Sequence, residues 1–189
     1  MQKSNGVEFK SLITEEEYEK LVNLFKGNKT DTQTNHYFDT PRFSLKALDV
    51  SLRVRERDNY ELTLKRKKGY SVNMINVEIS KEDFLLMNES SFVNNPEIWN
   101  ELQSMIGEQK LVNFLSLSTH RTYFPYKSGV LFIDKSEYLG VTDYEIEFSA
   151  NSYNLGKRDF IGLINEFEIQ YKKADKKIKR AFNAYKRLN

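Results

Sequence analysis

Residues able to do chemistry recur along this chain at strand spacing. Glu8 and Lys10 stand two residues apart, as do Arg53 and Arg55. Glu61, Thr63 and Lys65 repeat the spacing, and so do Asp143, Glu145 and Glu147. Successive strand side chains alternate between faces, so each set shares one face while Phe9, Val54, Leu62, Leu64, Tyr144 and Ile146 point the opposite way. Glu78 alternates with Val77 and Ile79, Arg121 with Thr122, and Asp134 follows the apolar Leu131-Phe132-Ile133. An open sheet with one wet face would also alternate, its cross-strand ion pairs worth about 0.2–1 kcal/mol each. Clustering by sign asks for more, because a face built only for stability would tend to avoid like charges two residues apart. A polyphosphate with divalent cations makes both demands: Arg and Lys for the phosphate oxygens, carboxylates for Mg2+ or Mn2+. Enclosure strengthens both, since a unit pair at 4 Å is worth about 1 kcal/mol in water but about 4 at an effective dielectric near 20.

The elements that must position these residues can be read from periodicity. Val7 to Ile13 reads as a strand. Thr14 with Glu17 three residues later is a capping-box signature, and Tyr18, Leu21, Val22 and Phe25 then form the buried stripe of a helix. From Asn35 to Ile79 the period is two, with HYFD, SLRVRER, YELTLKRK and NMINVEIS as an antiparallel meander. KEDFLLM and PEIWNELQSMI read as helices, with Trp99 and Met105 as core residues. THRTYFPY, VLFIDKSEY and DYEIEFS form a second β section, with turns at Lys127-Ser128-Gly129 and around Gly140. LGKRDFIGLINEFEIQY and ADKKIKRAFNAYKRL close the chain as helical segments. The expected fold is α+β: a closed antiparallel β-barrel of about eight strands, charged faces inward and helices packed outside. No repeat or linker divides residues 1–189, so one domain is expected.

Composition narrows the chemistry. The 29 Lys plus Arg and 27 Asp plus Glu leave a formal net charge of +2, so nucleic acid is not an expected partner and any polyanion site is local. Lys172, Lys173, Lys176, Lys177, Lys179, Arg180, Lys186 and Arg187 crowd the end of the chain, a run most simply read as a solvated helix face. Zero Cys excludes a thiol nucleophile and a cysteine zinc site, leaving oxygen as the main metal ligand. His36 and His120 are too isolated for a metal pair and read as polar strand residues. No apolar run approaches the roughly 18 residues of a membrane span, and the start lacks a signal-peptide core, so a soluble cytoplasmic protein is expected. P-loop, zincin and nucleophile-elbow motifs do not occur.

These residues, in their order, resemble the CYTH family, also called triphosphate tunnel metalloenzymes. The likeness lies in Gly6-Val7-Glu8-Phe9-Lys10 against an E-x-E-x-K opening, LITEEEYEKL, LRVR at Leu52 to Arg55, ELTLK at Glu61 to Lys65, and VEIS around Glu78. It continues through HRTYF with Arg121, LFID ending at Asp134, DYEIEF, and KKIKRAF with Lys177 and Arg180. The resemblance implies a tunnel in which Lys10, Arg53, Arg55, Lys65, Arg121, Lys177 and Arg180 hold a triphosphate. Glu8, Glu61, Glu78, Asp134, Glu145 and Glu147 would hold Mg2+ or Mn2+, and Glu8, Lys10 and Glu147 would be catalytic. It further implies metal-assisted hydrolysis, most simply of inorganic triphosphate. Thiamine triphosphatase, class IV adenylyl cyclase-like activity and a non-catalytic polyphosphate- or nucleotide-binding module are the alternatives. Gly6 departs from the pattern where a carboxylate is expected, which implies slow turnover.

Overall fold

The computed structural model describes residues 7–68 and 71–188. Fifteen elements follow one another: β1 (Val7–Ile13), α1 (Glu15–Leu24), β2 (Lys29–Asp39), α2 (Ser44–Ala47), β3 (Val50–Glu56), β4 (Tyr60–Lys68), β5 (Ser71–Ile79), α3 (Lys81–Ser90), α4 (Pro96–Ile106), β6 (Val112–Tyr126), β7 (Gly129–Tyr138), β8 (Val141–Ala150), α5 (Tyr153–Glu166), β9 (Lys172–Lys173) and α6 (Lys177–Leu188). The fold is α+β, and the described residues form a nine-stranded antiparallel sheet in the order β5-β4-β3-β2-β6-β7-β8-β1-β9 with six helices. Among the described residues no helix is long and apolar enough to cross a membrane.

Local chemistry sets several boundaries. Thr14 accepts the Glu17 N–H at 3.1 Å while the Glu17 carboxylate accepts the Thr14 N–H at 2.7 Å, the reciprocal cap the sequence signals. Leu139 and Gly140 both have positive φ, 49° and 74°, the two-residue turn that matches strand twist and joins β7 to β8. β2 begins at Lys29 rather than Asn35, because KTDTQT is polar on both faces and shows no apolar alternation. β6 begins at Val112 rather than Thr119, its early half committed by the buried Leu115 and Leu117. α2 shows no periodic signal; the buried Asp39 carboxylate builds it by accepting the Leu45 and Lys46 N–H groups at 2.9 and 3.0 Å.

The C-terminal helices are shorter than the periodicity suggests. α5 stops at Glu166, not Tyr171: Glu168 takes φ 57°, and the Ile169 N–H reaches back to the Ile164 carbonyl at 2.9 Å. The chain then extends, and Lys172 N–H donates to the Ser11 hydroxyl at 2.9 Å, placing β9 beside β1. α6 accordingly begins at Lys177.

Two compact units share the chain, one with the described residues up to Thr32 and from Ser118 onward, the other Gln33–Leu117. In the first, the apolar faces of β1, β7 and β8 present Ile13, Leu131, Ile133, Ile146 and Phe148 to Leu21 of α1 and to Phe160 and Leu163 of α5. In the second, Leu52, Val54, Leu62 and Leu64 meet Leu45, Phe84, Met87, Ile98 and Leu102 from the four-residue helix α2 and helices α3 and α4. Trp99 and Met105 pack partly buried against that core.

One glycine in the first core is required by close approach. A Cβ on Gly156 would lie 2.7 Å from the Phe9 ring and 2.8 Å from the Ala150 methyl, well inside contact distance. Gly156→Ala gains about 1 kcal/mol in helix propensity but must push α5 off β1 and β8. Overpacking outweighs that gain, so urea unfolding is expected to show a net loss of about 1–2 kcal/mol; unchanged or increased stability would mean the ring and α5 separate freely.

Candidate metal and phosphate site

Strand register assembles the carboxylates of the first unit. β8 pairs with β1 so that Glu147 faces Lys10, and with β7 so that Glu145 faces Asp134; β6 pairs with β7 so that Arg121 faces Asp134. Alternation turns all of these to one face. Asp134, Glu145 and Glu147 are buried, and each offers an oxygen within 4.8 Å of the others. Three hard oxygen donors converging in this way suit Mg2+ or Mn2+ and fit no soft metal.

Four cations surround them. Arg121 donates to both oxygens of Asp134 at 2.7 and 2.6 Å and lies 3.5 Å from Glu147. Its guanidinium also sits over the Phe132 ring at 4.3 Å. Lys177 reaches Asp134 at 2.7 Å and contacts Glu145. Arg180 grips Asp143 at 2.7 and 2.9 Å and lies 2.6 Å from Glu145. Lys10 bridges Glu8 at 3.0 Å and Glu147 at 3.1 Å.

Burial penalises every one of these charges, and the partners decide the outcome. Burial would raise the Asp134 carboxyl, but hydrogen bonds from Arg121 and the Lys177 charge bring it below its ordinary value. Burial likewise opposes the charged forms of Lys10, Arg121 and Arg180, yet Glu147 and Glu8, Asp134, and Asp143 with Glu145 respectively hold them above theirs. The Tyr138 phenol, desolvated and bonded to the Asp143 carboxylate, is pushed up to about 12. Buried ion networks are commonly no more stabilising than apolar residues of the same volume, so stability alone does not account for this concentration of charge.

The second unit carries a basic face. Register aligns Asn35, Arg55, Glu61 and Glu78 in one row and Tyr37, Arg53, Thr63 and Asn76 in the next. Arg53 donates to Thr63 at 3.1 Å, Arg55 to Asn35 at 3.3 Å, and the half-exposed Glu61 lies 3.6 and 3.9 Å from the two guanidiniums. One carboxylate thus serves two arginines. Burial first, and then the neighbouring Arg53 and Arg57, lower the Arg55 pKa. The Arg53 Nε is buried with no hydrogen-bond partner. Such a face is short of negative charge, as an anion site must be. Lys65 and Glu78 are exposed on the same face, Glu78 directly opposite Glu61.

Asp134, Glu145 and Glu147 therefore form one group, with Glu8 tied to it through Lys10, while Glu61 and Glu78 belong to the second unit. The spacing put Asp143 and Thr63 on the charged face without a role and gave no signal for Asn35 or Phe132; in the structure all four contact arginines. His36 bonds Ser116 and Glu56, and His120 bonds Thr32 and Glu137, as polar strand residues. Gly6 lies outside the described residues.

A model of the CYTH domain matches residues 5–182. A Bacillus subtilis (strain 168) protein described as a candidate triphosphatase, YjbK, is 30% identical over 182 residues, covering 93% of each chain. The crystal structure of a candidate adenylate cyclase from Bacillus halodurans is 32% identical, with TM-score 0.74, over 96% of this chain and 100% of that one. A Hippeastrum protein, a candidate adenylyl cyclase with a dominant triphosphatase activity, shares the fold at TM-score 0.72 and 22% identity, over 97% of this chain and 96% of that one.

Proposed function

The chain belongs to the CYTH domain family, and from that premise we propose that it hydrolyses a triphosphate, inorganic triphosphate foremost, with Mg2+ or Mn2+ as cofactor. The observation that carries this reading is the convergence of Asp134, Glu145 and Glu147 within 4.8 Å, ringed by four cations. Held by those three carboxylates, with Glu8 as a further oxygen donor, the metal would supply positive charge and a polarised water. Lys10, Arg121, Lys177 and Arg180 bind and orient phosphate oxygens beside those carboxylates, where charge builds up as the terminal phosphoryl leaves, and Arg53, Arg55 and Lys65 give the second unit an anion-binding face of its own. Glu8 and Glu147 accept hydrogen bonds from the attacking water, and Lys10, bonded to both, holds them in place. No covalent nucleophile is needed.

A second reading, a binding module without turnover, is favoured by one observation: Lys177 and Arg180 already engage the oxygens of Asp134 and Glu145. Phosphate release from inorganic triphosphate, thiamine triphosphate and ATP, each with Mg2+ or Mn2+, separates the readings. Inorganic triphosphate is expected to be consumed fastest, and cyclic nucleotide formation from ATP would select the cyclase alternative. Saturable binding with no product from any of the three would select the module.

Ligand filling should also stabilise the fold. Arg53 and Arg55 repel each other across a shared Glu61, and an anion between them removes that repulsion. At a hundred times its dissociation constant, triphosphate should add about 2.7 kcal/mol, read as a rise in melting temperature at modest salt. No rise at millimolar ligand would count against a phosphate site.

A further inference from the structure

A groove of about 560 Å³ opens in the first unit between β1, α5 and the segment leading into α6. Its walls are aromatic. Phe9 and Tyr153 stand with ring centroids 5.7 Å apart, and Tyr153 and Tyr171 are left 56% and 58% exposed. Lys157, Lys173 and Lys176 also line it, Lys157 with its ammonium 6.0 Å from the Tyr153 ring. Among the described residues none of these three lysines forms an ion pair. Lys173 and Lys176 belong to the C-terminal basic run but, unlike its Lys177 and Arg180, pair with none of the clustered carboxylates. Glu8 and Lys10 reach one end of the groove, but their charges are committed to each other and to Glu147.

Size and chemistry restrict the occupant. The volume lies in the range of pockets for small organic ligands. A bare phosphate would neutralise the lysines and leave the ring faces wet; a wholly apolar ligand would cover the rings and leave unpaired ammonium groups at its edge. A flat aromatic body bearing a phosphate satisfies both. We propose that this groove binds an aromatic phosphate of mononucleotide size, its ring system against Tyr153 and Tyr171 and its phosphate at Lys173 and Lys176, at a site that meets the carboxylate centre only at Glu8 and Lys10.

Calorimetric titration of the full chain with adenosine 5′-monophosphate, in the absence of divalent metal, tests this directly. Saturable binding is expected, with adenosine and inorganic phosphate each at least about tenfold weaker, since each lacks one half of the recognition. Tyr171→Ala should weaken binding by about tenfold through lost stacking. The double variant Lys173→Glu, Lys176→Glu should weaken it at least as much, and both variants should melt as the wild type does because the altered side chains are exposed. Saturating inorganic triphosphate should leave the nucleotide affinity within about twofold. No saturation at millimolar nucleotide, or wild-type affinity in both variants, would overturn the proposal. So would full displacement by triphosphate, which would put the nucleotide in the carboxylate centre instead.

Discussion

Replacing Asp134 by alanine is expected to cost about 3–5 kcal/mol of stability, the most damaging single change in the carboxylate cluster. The side chain is fully buried and accepts both Arg121 hydrogen bonds and one from Lys177. Its loss leaves two cations largely enclosed with only Glu147 and Glu145 still in reach. Asp134→Asn, which keeps the shape and one acceptor oxygen, should cost less. The same group predicts an acid sensitivity. Its folded pKa lies below the ordinary aspartate value near 3.8, so its contribution is fully present above that value and disappears as pH falls through the lower, folded one. Urea unfolding of both variants, repeated between neutral and strongly acidic pH, measures this. A cost under about 1 kcal/mol for Asp134→Ala would mean that water reaches Arg121 and Lys177 and solvates them in place of the carboxylate.

Arg55→Ala and Glu147→Gln should fail in opposite ways. Arg55 is charged, short of partners and on the basic face, so its removal should weaken triphosphate binding by about 10- to 100-fold, the worth of one hydrogen bond to a charged group. Glu147→Gln removes one oxygen ligand's charge beside Lys10 and Arg121. Metal-free triphosphate binding should stay intact or tighten, while metal-dependent turnover drops by about 100-fold or more. Titration of both variants with triphosphate, with and without Mn2+, distinguishes the roles. Equal loss of anion affinity in both would identify the charges as a structural ion-pair network.

Much of this arrangement was legible in the sequence because strand alternation is a strict geometric rule. Once β1, β7 and β8 are strands, Glu8 with Lys10, Asp134, and Glu145 with Glu147 must fall on the face opposite the apolar residues, and they do. What alternation cannot give is register. Nothing in the spacing says that Asp134 meets Glu145 or that Lys10 meets Glu147; those pairings are set by hairpin turns such as Leu139-Gly140 and by packing of the opposite face. Register also brings Asp134 to Glu145 in one unit and Glu61 to Glu78 in the other, although all six acidic candidates read alike as sequence. Boundaries failed where the signal was not periodic: the polar start of β2, the single turn of α2 built on the Asp39 carboxylate, and the break after Glu166 that frees Lys172 to join β1.

In the proposed function the buried carboxylates serve a metal in triphosphate hydrolysis. Phosphate release from inorganic triphosphate by wild-type protein, stripped of metal with chelator and then titrated with Mn2+ or Mg2+, tests it most directly. The expected result is no release above background without metal, a saturable return of activity as metal is added, and no return in Glu147→Gln at the concentration that saturates the wild type. Turnover that persists without metal, or triphosphate binding with no phosphate release at any metal concentration, would contradict it.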